Sequence, residues 1–319
     1  MKTIDLFAGI GGIALGFQQA GFDCVYANDQ DEKCQLTYQA NFKHDFSLKN
    51  IARPTDDYYL SVNDELQAYQ FDLVMAGFPC QSFSKAGKKQ GLYDDKGTGE
   101  LFFYLLDILA NYHPAIIFFE NVANLQKHNH GQTFGFMLEK LSHSGYYVDF
   151  NILNTRLISD LPQNRERLYL VGFLNSKHHQ AFHWPESSPN NSKISDLLEQ
   201  EVADAYYIQG TSLWPKINHY QFQTHEVYLW RRNHLRVYKN QAFPTLLASM
   251  GTGGHNVPMI KDKKGLRKLT PRECARIQGF SDDYILPYSL AHKHLYRQIG
   301  NSVSVPVIKK IAFAIKNVL

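Results

Sequence analysis

The sequence predicts an α/β fold in which a doubly wound, mostly parallel sheet is followed by a second, smaller domain. Apolar strand patterns alternate with helical stretches as far as residue 173, which is typical of a parallel sheet covered on both faces. The alternation stops at a polar, turn-rich passage over residues 178–191, and such a passage suits a domain boundary. The 319 residues are enough for one large α/β domain and a smaller one.

The predicted elements follow one another along the chain. Strands are expected near residues 3–7, 23–28, 71–77, 115–119, 146–152 and 167–173, with helical stretches between them, for instance at 100–111 and 134–142. A later short helix has Thr270 as its N-cap, Pro271 in its first position and Gly279 at its end. An amphipathic helix is predicted over 303–318, whereas residues 174–240 show no clear periodicity.

Cys80 follows the third apolar segment and is the candidate nucleophile. The apolar run stops at Gly77, and Pro79 then prevents the chain from continuing into a strand ladder. The thiol is therefore expected on a turn at the carboxyl end of a strand, where open α/β sheets bind their ligands. A structural cysteine more often lies inside the apolar run as a small hydrophobic residue, which is the alternative for Cys80.

An acid and two arginines are expected at the same crevice. Glu120 directly follows the apolar run 115–119, and its apolar neighbours would raise its pKa toward a value suited to proton donation. The alternative is a helix-capping or solvated carboxylate. Arg165 and Arg167 alternate with Glu166 into the last strand, so both should point to one face and suit an electron-rich ring or a phosphate. The alternative interpretation of the two arginines is that both are solvated charges at the edge of the sheet.

The amino-terminal segment predicts a nucleotide-type site. The first strand runs into Gly9-x-Gly11-Gly12, a turn that lets the backbone approach a ligand closely. Asp29 ends the second strand, where doubly wound folds hold ribose hydroxyls. The glycine spacing departs from the dinucleotide pattern, which argues for a different adenosine cofactor and against a Rossmann dehydrogenase.

These segments, in this order, resemble the sequence blocks of DNA (cytosine-5) methyltransferases of the bacterial restriction-modification type. The blocks are matched by residues 5–12 (S-adenosylmethionine binding), 77–84 (nucleophile), 120–122 (acid), 163–167 (arginines) and 298–303 (last cofactor block). The matches span residues 3 to about 315 and leave mainly 174–240 uncovered.

The resemblance implies a fold, a division into domains and a reaction. The fold is that of S-adenosylmethionine-dependent methyltransferases, with residues 1–173 and 300–319 as the catalytic and cofactor-binding domain and 174–299 as the target-recognition domain. The reaction is transfer of a methyl group from S-adenosylmethionine to C5 of a cytosine flipped out of duplex DNA. It would proceed through a covalent bond between Cys80 and C6 of the base.

The resemblance also assigns the catalytic roles. Glu120 would protonate or hydrogen-bond N3 of the cytosine, and Arg167 would hold O2. Arg165 would orient the nucleophile loop or a phosphate. The base that removes the C5 proton is not identified by the sequence, and no metal is expected.

The expected cofactor contacts come from several blocks. They are Phe7, Gly9, Ile10, Gly11, Gly12, Asp29, Gln30, Asn50, Ile51, Gly77, Pro79, Leu101, Asn301, Ser302 and Val303. Two positions depart from the family pattern, since Asp29 replaces the commoner Glu and Gln30 stands where a Trp often stacks on adenine. For the adenine edge, Asn50-Ile51 and 45–46 both fit in part, and spacing favours Asn50-Ile51.

Charge predicts where DNA binds. Net charge is +3, yet residues 231–300 hold 13 Lys plus Arg against 4 Asp plus Glu. A basic surplus confined to one region suggests a polyanion partner there, the alternative being a solvated lysine-rich face. The expected DNA contacts are Ser82, Lys85, Lys89, Arg231, Arg232, Arg236, Thr252 and Gly253. Residues 85–96 would form a mobile loop that closes over the base.

The remaining expectations concern location and partners. Four cysteines without paired spacing indicate a reducing cytoplasm, and no apolar stretch approaches the roughly 20 residues that span a bilayer. A monomer is expected, with duplex DNA as partner and a separately encoded restriction endonuclease acting on the same site. Two alternatives stay open at this point: a tRNA cytosine-5 methyltransferase, and a catalytically silent DNA-binding regulator.

Overall fold

A computed structural model describes residues 1–51, 60–79, 101–188, 192–239, 241–252 and 256–319. The chain divides into two compact units. The first unit comprises residues 1–153, 166–185 and 308–319, and the second comprises residues 154–165 and 186–307. No described helix is long and apolar enough to cross a membrane.

The strands of the described residues are numbered in chain order. They are β1 (Lys2–Leu6), β2 (Asp23–Asp29), β3 (Asp45–Leu48), β4 (Leu73–Ala76), β5 (Ile116–Val122), β6 (Tyr147–Asn154), β7 (Gln163–Asn164), β8 (Glu166–Phe173), β9 (Val227–Arg231), β10 (His234–Tyr238), β11 (Phe243–Pro244), β12 (Met259–Lys261) and β13 (Leu266–Lys268).

The α-helices of the same residues are numbered likewise. They are α1 (Gly12–Gln19), α2 (Glu32–Gln39), α3 (Leu60–Leu66), α4 (Leu101–Tyr112), α5 (Gln132–His143), α6 (Thr155–Ile158), α7 (Ser176–Ala181), α8 (Trp214–Ile217), α9 (Pro271–Gln278), α10 (His292–Asn301) and α11 (Val305–Lys316). Short 3-10 helices lie at Ala123–Gly131, Ile194–Leu197, Asp204–Tyr206 and Ala248–Gly251.

The first unit contains a sheet of seven described strands in the order β3-β2-β1-β4-β5-β8-β6. Neighbours from β3 to β5 are parallel, while β8 runs antiparallel to β5. Every residue of β4 is buried, as expected for a parallel strand covered on both faces. The strand order reverses between β1 and β4, which is the switch point where such sheets bind ligands. The predicted fold class is confirmed.

Two strand predictions need correction. The segment β3 was not predicted at all, because its residues are only partly buried and carry no apolar run. The strand expected at 115–119 continues through Glu120 to Val122, so Glu120 lies inside β5 and not after it. Its position opposite Tyr169 of β8 is therefore set by the strand ladder.

The second unit has a sheet in the order β10-β9-β12-β13. The strands β9 and β10 form a hairpin whose two turn residues, Arg232 and Asn233, have φ of 53° and 62°. Positive φ at both positions is the geometry of a two-residue type I′ turn, whose twist matches that of the strands. The core under this sheet includes Ile208, Tyr228 and Met259.

The observed units differ from the predicted domain boundaries in three places. Residues 154–165 lie in the second unit, 174–185 remain in the first, and 300–307 lie in the second. Tertiary pairing explains the first difference, because β7 pairs in parallel with β11 and the Gln163 side chain donates to the Ile277 carbonyl at 2.9 Å. Neither interaction leaves a local signal in the sequence.

The short helix α9 has the predicted ends. The Thr270 hydroxyl accepts the Glu273 N–H at 3.1 Å, and the Glu273 carboxylate accepts the Thr270 N–H at 2.8 Å. Pro271 occupies the first turn, and Gly279 closes the helix with φ of 88°. This capping box confirms the sequence prediction, since each of its signals is local.

Candidate active site

The glycine turn lies between β1 and α1. Phe7, Gly9 and Gly11 all have positive φ, at 58°, 55° and 79°. A Cβ built on Gly11 would lie 2.4 Å from the Phe42 ring, so the turn requires glycine there. A Cβ built on Gly9 meets nothing within 4 Å, so open space adjoins the backbone at this point. The turn thus presents main chain to open space beside the end of β1.

Asp29 stands next to this turn, at the end of β2. Its carboxylate accepts the N–H of Gly9 at 2.8 Å and that of Asp31 at 2.9 Å. Burial raises the pKa of Asp29, and the charge of Asp31 adds to the effect, while the backbone hydrogen bonds oppose it. A carboxylate has about four acceptor positions, so Asp29 can accept a hydroxyl in addition to these backbone groups.

Asp5 is a titratable group in this region that the sequence argument missed. It lies on β1 and is fully buried. Burial raises the pKa of Asp5 to about 8, with a further contribution from Asp29, while the N–H of Ala14 acts in the opposite direction. An acid between Ile4 and Leu6 in an apolar strand was the available signal.

The register of β2 and β3 distinguishes the two candidates for the adenine edge. Asp29 pairs with Leu48, so residues just after Leu48 lie at the same sheet edge as Asp29. Asn50 and Ile51 meet this condition, and Ile51 is buried. Residues 45–46 lie at the opposite end of β3. Of the two pairs, Asn50-Ile51 is therefore the one at the sheet edge where Asp29 ends. Gln30 is exposed.

Gly77 lies between the glycine turn and the acid. A Cβ built on Gly77 would lie 3.2 Å from the Ile13 side chain and 3.9 Å from Oε2 of Glu120. Pro79 is exposed, and Leu101 is buried at the first position of α4. A larger residue at 77 would therefore press on both the start of α1 and the acid.

Glu120 and Arg167 form an ion pair on neighbouring antiparallel strands. Nε of Arg167 lies 3.1 Å from Oε1 of Glu120, and the two side chains are only 13% and 11% exposed. Asn121 donates to the Phe78 carbonyl at 3.1 Å and so ties β5 to the segment that leads to Cys80. The sequence predicted that the two residues share a crevice, but it did not predict that they pair with each other.

Arg165 does not lie on the strand that carries Arg167. It falls between β7 and β8 and is 2% exposed. Its guanidinium donates to the Leu246 carbonyl at 2.9 Å and to the Ser302 carbonyl. The prediction that both arginines share one face of a strand is therefore wrong, because the strand begins only at Glu166. Arg165 holds backbone carbonyls of the second unit.

The last cofactor block lies where α10 ends. Asn301 is the exposed final residue of that helix, whereas Ser302 and Val303 are buried. The Ser302 carbonyl accepts from Arg165 and from the Gln278 side chain. Arg165 and Gln278 thus hold the backbone at this block.

The predicted DNA-contacting arginines occupy the β9–β10 hairpin. Arg232 and Arg236 are exposed, Arg231 is half-buried, and no ion pair of the described residues involves them. Thr252 is exposed and donates to the Ser249 carbonyl at 2.8 Å. Arg232, Arg236 and Thr252 are thus open to solvent.

Two arginines of residues 231–300 pair with acids of the same interval. Arg267 is 1% exposed, and its guanidinium is 2.7 Å from Asp262 and 2.7 Å from Glu273. Arg276 pairs with Asp282 at 2.7 Å. These acids are already counted in the charge balance of residues 231–300, so the pairs hold the two arginines but leave the basic surplus unchanged.

Some predicted residues fall outside the described part of the chain. These are Cys80, Ser82, Lys85, Lys89 and Gly253, together with the expected closing loop 85–96. Within the described ranges, no group of three or more His, Cys, Asp or Glu side chains could hold a metal ion.

The sheet order, the glycine turn held by an acid of the next strand, and the acid–arginine pair together define a class. The protein has the S-adenosylmethionine-dependent methyltransferase fold. Comparisons with known proteins extend this result. Residues 1–317 match the family described as C-5 cytosine-specific DNA methylase.

Named relatives match over nearly the whole chain. It is 43% identical over 317 residues to the Type II methyltransferase M.Bsp6I of Bacillus sp. (strain RFL6), covering 98% of this chain and 97% of the relative. It is 38% identical over 320 residues to M.NlaX of Neisseria lactamica, covering 100% and 97%. The chain therefore belongs to the C-5 cytosine-specific DNA methylase family and is a DNA (cytosine-5) methyltransferase, as the sequence predicted.

Solved structures show the same fold. Dnmt2 methyltransferase of S. pombe superimposes with a TM-score of 0.75 at 20% identity, covering 99% of both chains. The methyltransferase EhMeth of Entamoeba histolytica gives a TM-score of 0.76 at 21% identity, covering 99% of this chain and 98% of the other.

Proposed function

We propose that this enzyme transfers a methyl group from S-adenosylmethionine to C5 of one cytosine within a specific duplex DNA site. The Glu120–Arg167 pair carries the proposal, because an acid and a guanidinium 3.1 Å apart can bind N3 and O2 of one cytosine ring. Asn121 ties the same strand to the segment that leads to the candidate nucleophile, Cys80.

The residues around the glycine turn fit S-adenosylmethionine. Open space adjoins Gly9, and the Asp29 carboxylate beside it can accept ribose hydroxyls. Phe7 and the Gly11 backbone would bound the methionine side, and Asn50 with Ile51 would bound the adenine side. When bound, the cofactor supplies an electrophilic methyl group.

The chemistry on the protein side follows from the weakness of C5 as a nucleophile. Addition of the Cys80 thiolate to C6 makes C5 electron-rich, which divides one difficult step into two easier ones. Glu120 would donate a hydrogen bond or proton to N3, and Arg167 would hold O2, so that charge leaves the ring as the C6–sulfur bond forms. After methylation of C5, loss of its proton to a base allows the C6–sulfur bond to break and restores the thiolate. Arg165 would have a positioning role, since it holds the backbone of Leu246 and Ser302.

Access to the target requires base flipping, because C5 and C6 are stacked inside the duplex. Rotating the nucleotide out costs a few kcal/mol, which binding of the extrahelical base must offset. The exposed arginines of the β9–β10 hairpin support a DNA-contacting role for residues 174–299, with Arg231, Arg232, Arg236 and Thr252 as contacts.

The biological part of the proposal is protection of host DNA in a restriction-modification system. It is supported by relatives that are themselves named Type II methyltransferases. A separately encoded endonuclease would cut the same site when it is unmethylated. We further propose a monomer located in the cytoplasm, where thiols stay reduced, and none of the described cysteines forms a disulfide.

Transfer of labelled methyl groups tests the function directly. Purified enzyme with labelled S-adenosylmethionine should label duplex DNA and not tRNA, and bisulfite sequencing of DNA from an expressing host should reveal one methylated site. Labelling of tRNA alone would show that tRNA, and not DNA, is the substrate. No labelling at all would favour a catalytically silent DNA-binding regulator.

The covalent step has its own test. Cys80→Ser should bind DNA yet transfer essentially no methyl, because a hydroxyl is a far poorer nucleophile than a thiolate. A 5-fluorocytosine at the target should trap the wild-type enzyme on DNA, because fluorine does not leave as a proton does. Near-normal turnover of the Ser variant would exclude the adduct.

A further inference from the structure

Asn28 links two parts of the cofactor-binding region that are far apart in sequence. It lies on β2 and is 1% exposed. Its backbone carbonyl accepts the N–H of Ala8, in the glycine turn, at 2.9 Å. Its side-chain amide donates to the carbonyls of Ser47 and Lys49, both at 3.0 Å. One residue thus joins the glycine turn to the segment that follows β3.

The side-chain bond to Lys49 extends the sheet beyond its last strand pair. Asn28 pairs with Ser47 in the parallel register, and β3 ends at Leu48. Lys49 is therefore the first residue past the strand, where backbone pairing no longer fixes its direction. Because both acceptors are carbonyl oxygens, the NH2 group must face them, and the amide has one working orientation.

Lys49 is held at its side chain as well. Its ammonium lies 2.5 Å from Oε1 of Glu65, and Glu65 also accepts the Tyr26 hydroxyl at 2.8 Å. Burial acts to raise the pKa of Glu65, but hydrogen bonds from Lys49, Ser47 and Tyr26 outweigh it and lower this pKa. The chain is thus fixed immediately before Asn50 and Ile51.

We propose that Asn28 is a positioning residue for the adenine end of S-adenosylmethionine. By donating to the Lys49 carbonyl, its side chain sets the direction in which Asn50 and Ile51 approach the cofactor. Its backbone carbonyl accepts the Ala8 N–H and so fixes the glycine turn relative to β2. This inference rests on the proposed function, because it takes S-adenosylmethionine as the occupant of the site.

Asn28→Ala removes both side-chain donors and is the main test. The dissociation constant for S-adenosylmethionine, measured by calorimetry, should rise about tenfold, as expected for the loss of one to two hydrogen bonds that fix a binding segment. KM for S-adenosylmethionine should rise by a similar factor, while kcat at saturating cofactor changes by less than about twofold. If Asn28 were only structural, Asn28→Ala would lower the free energy of unfolding without raising KM for the cofactor more than it changes kcat.

Asn41→Ala is the matched control. The Asn41 side chain also donates to a backbone carbonyl, that of Thr37 at 2.8 Å, in the same unit. Its loss should leave cofactor affinity unchanged. An equal change of affinity in both variants, or wild-type affinity in folded Asn28→Ala, would overturn the positioning role.

Two further measurements keep the outcomes separate. Binding of S-adenosylmethionine to the wild-type enzyme is measured first, and its failure would refute the proposed function itself. If Asn28→Ala does not fold, Asn28→Ser tests the same bonds, since it removes the amide that donates to the Ser47 and Lys49 carbonyls while keeping a small polar side chain. Weakened cofactor binding in folded Asn28→Ser supports the proposal, and unchanged binding contradicts it.

Discussion

Replacing Glu120 with Gln separates the chemistry of this enzyme from its folding. The side chain is only 11% exposed and lies 3.1 Å from Nε of Arg167. Gln keeps the size of Glu but not its charge, so the ion pair with Arg167 becomes a contact between a charged and a neutral group. The expected loss of unfolding free energy is therefore small, about 1 kcal/mol, the order of one partly exposed ion pair.

The expected effect on the reaction is much larger. Proton donation by a positioned acid contributes about 10²–10⁴ in rate, which corresponds to about 3–5 kcal/mol of activation free energy. A Gln amide can donate a hydrogen bond to N3 but cannot transfer a proton. Glu120→Gln should therefore lose most methyl transfer while it still folds and binds both DNA and cofactor.

Single-turnover transfer of labelled methyl groups measures the rate, and urea unfolding measures the stability. The control is Glu166→Gln, since Glu166 is an exposed acid whose backbone carbonyl, not its carboxylate, accepts from Arg167 at 2.8 Å. The control should react at the wild-type rate. A rate for Glu120→Gln within about tenfold of wild type would refute general acid catalysis by this residue.

Three other substitutions test separate features. Burial raises the pKa of Asp5 to about 8, so the folded protein keeps a proton that the unfolded chain loses at about pH 4. The free energy of unfolding should therefore fall as pH rises from about 4 to 8. Asp5→Asn should flatten that fall in urea unfolding at about pH 5 and about pH 8, and an unaltered slope would contradict the assignment. Arg165→Met removes the guanidinium that donates to the Leu246 and Ser302 carbonyls and should cost about 2–4 kcal/mol of unfolding free energy. A loss below about 1 kcal/mol would show that these hydrogen bonds contribute little to stability. Arg236→Gln should weaken DNA binding and reduce by about 1 the slope of log affinity against log salt concentration. The control is Arg276→Gln, whose arginine pairs with Asp282, and it should leave this slope unchanged. Equal slopes in the wild-type protein and both variants would mark Arg236 as a solvated charge.

Elements whose signals are local could be predicted from the sequence. The helix that starts after Thr270 carries its cap, its proline and its closing glycine within a few residues, and all three take the expected positions. Buried strands such as β4 show up as apolar runs for the same reason. The class of fold followed from their order.

Features that depend on distant contacts could not be predicted. Arg165 was assigned to a strand because it alternates with Arg167, but β7 pairs with β11, and this interrupts the strand one residue before Glu166. Asn28 gave no signal, since its importance arises only when β2 and β3 lie side by side. The charge balance of residues 231–300 could not show which arginines meet solvent, since Arg267 is buried against Asp262 and Glu273.

The first unit is closed by residues 308–319, and this has a consequence for how the protein is made. A Cβ on Gly16 would lie 2.6 Å from Ile308, and the Lys316 ammonium donates to the Ala20 carbonyl at 2.9 Å, so α11 covers α1 closely. About 150 residues separate Leu153 from Ile308 in the chain. At about 5–20 residues per second, a ribosome needs roughly 10–30 s to deliver that cover. During this interval the apolar side of α1 is open to water and to chaperones. The first unit is therefore the first to begin folding and the last to complete it.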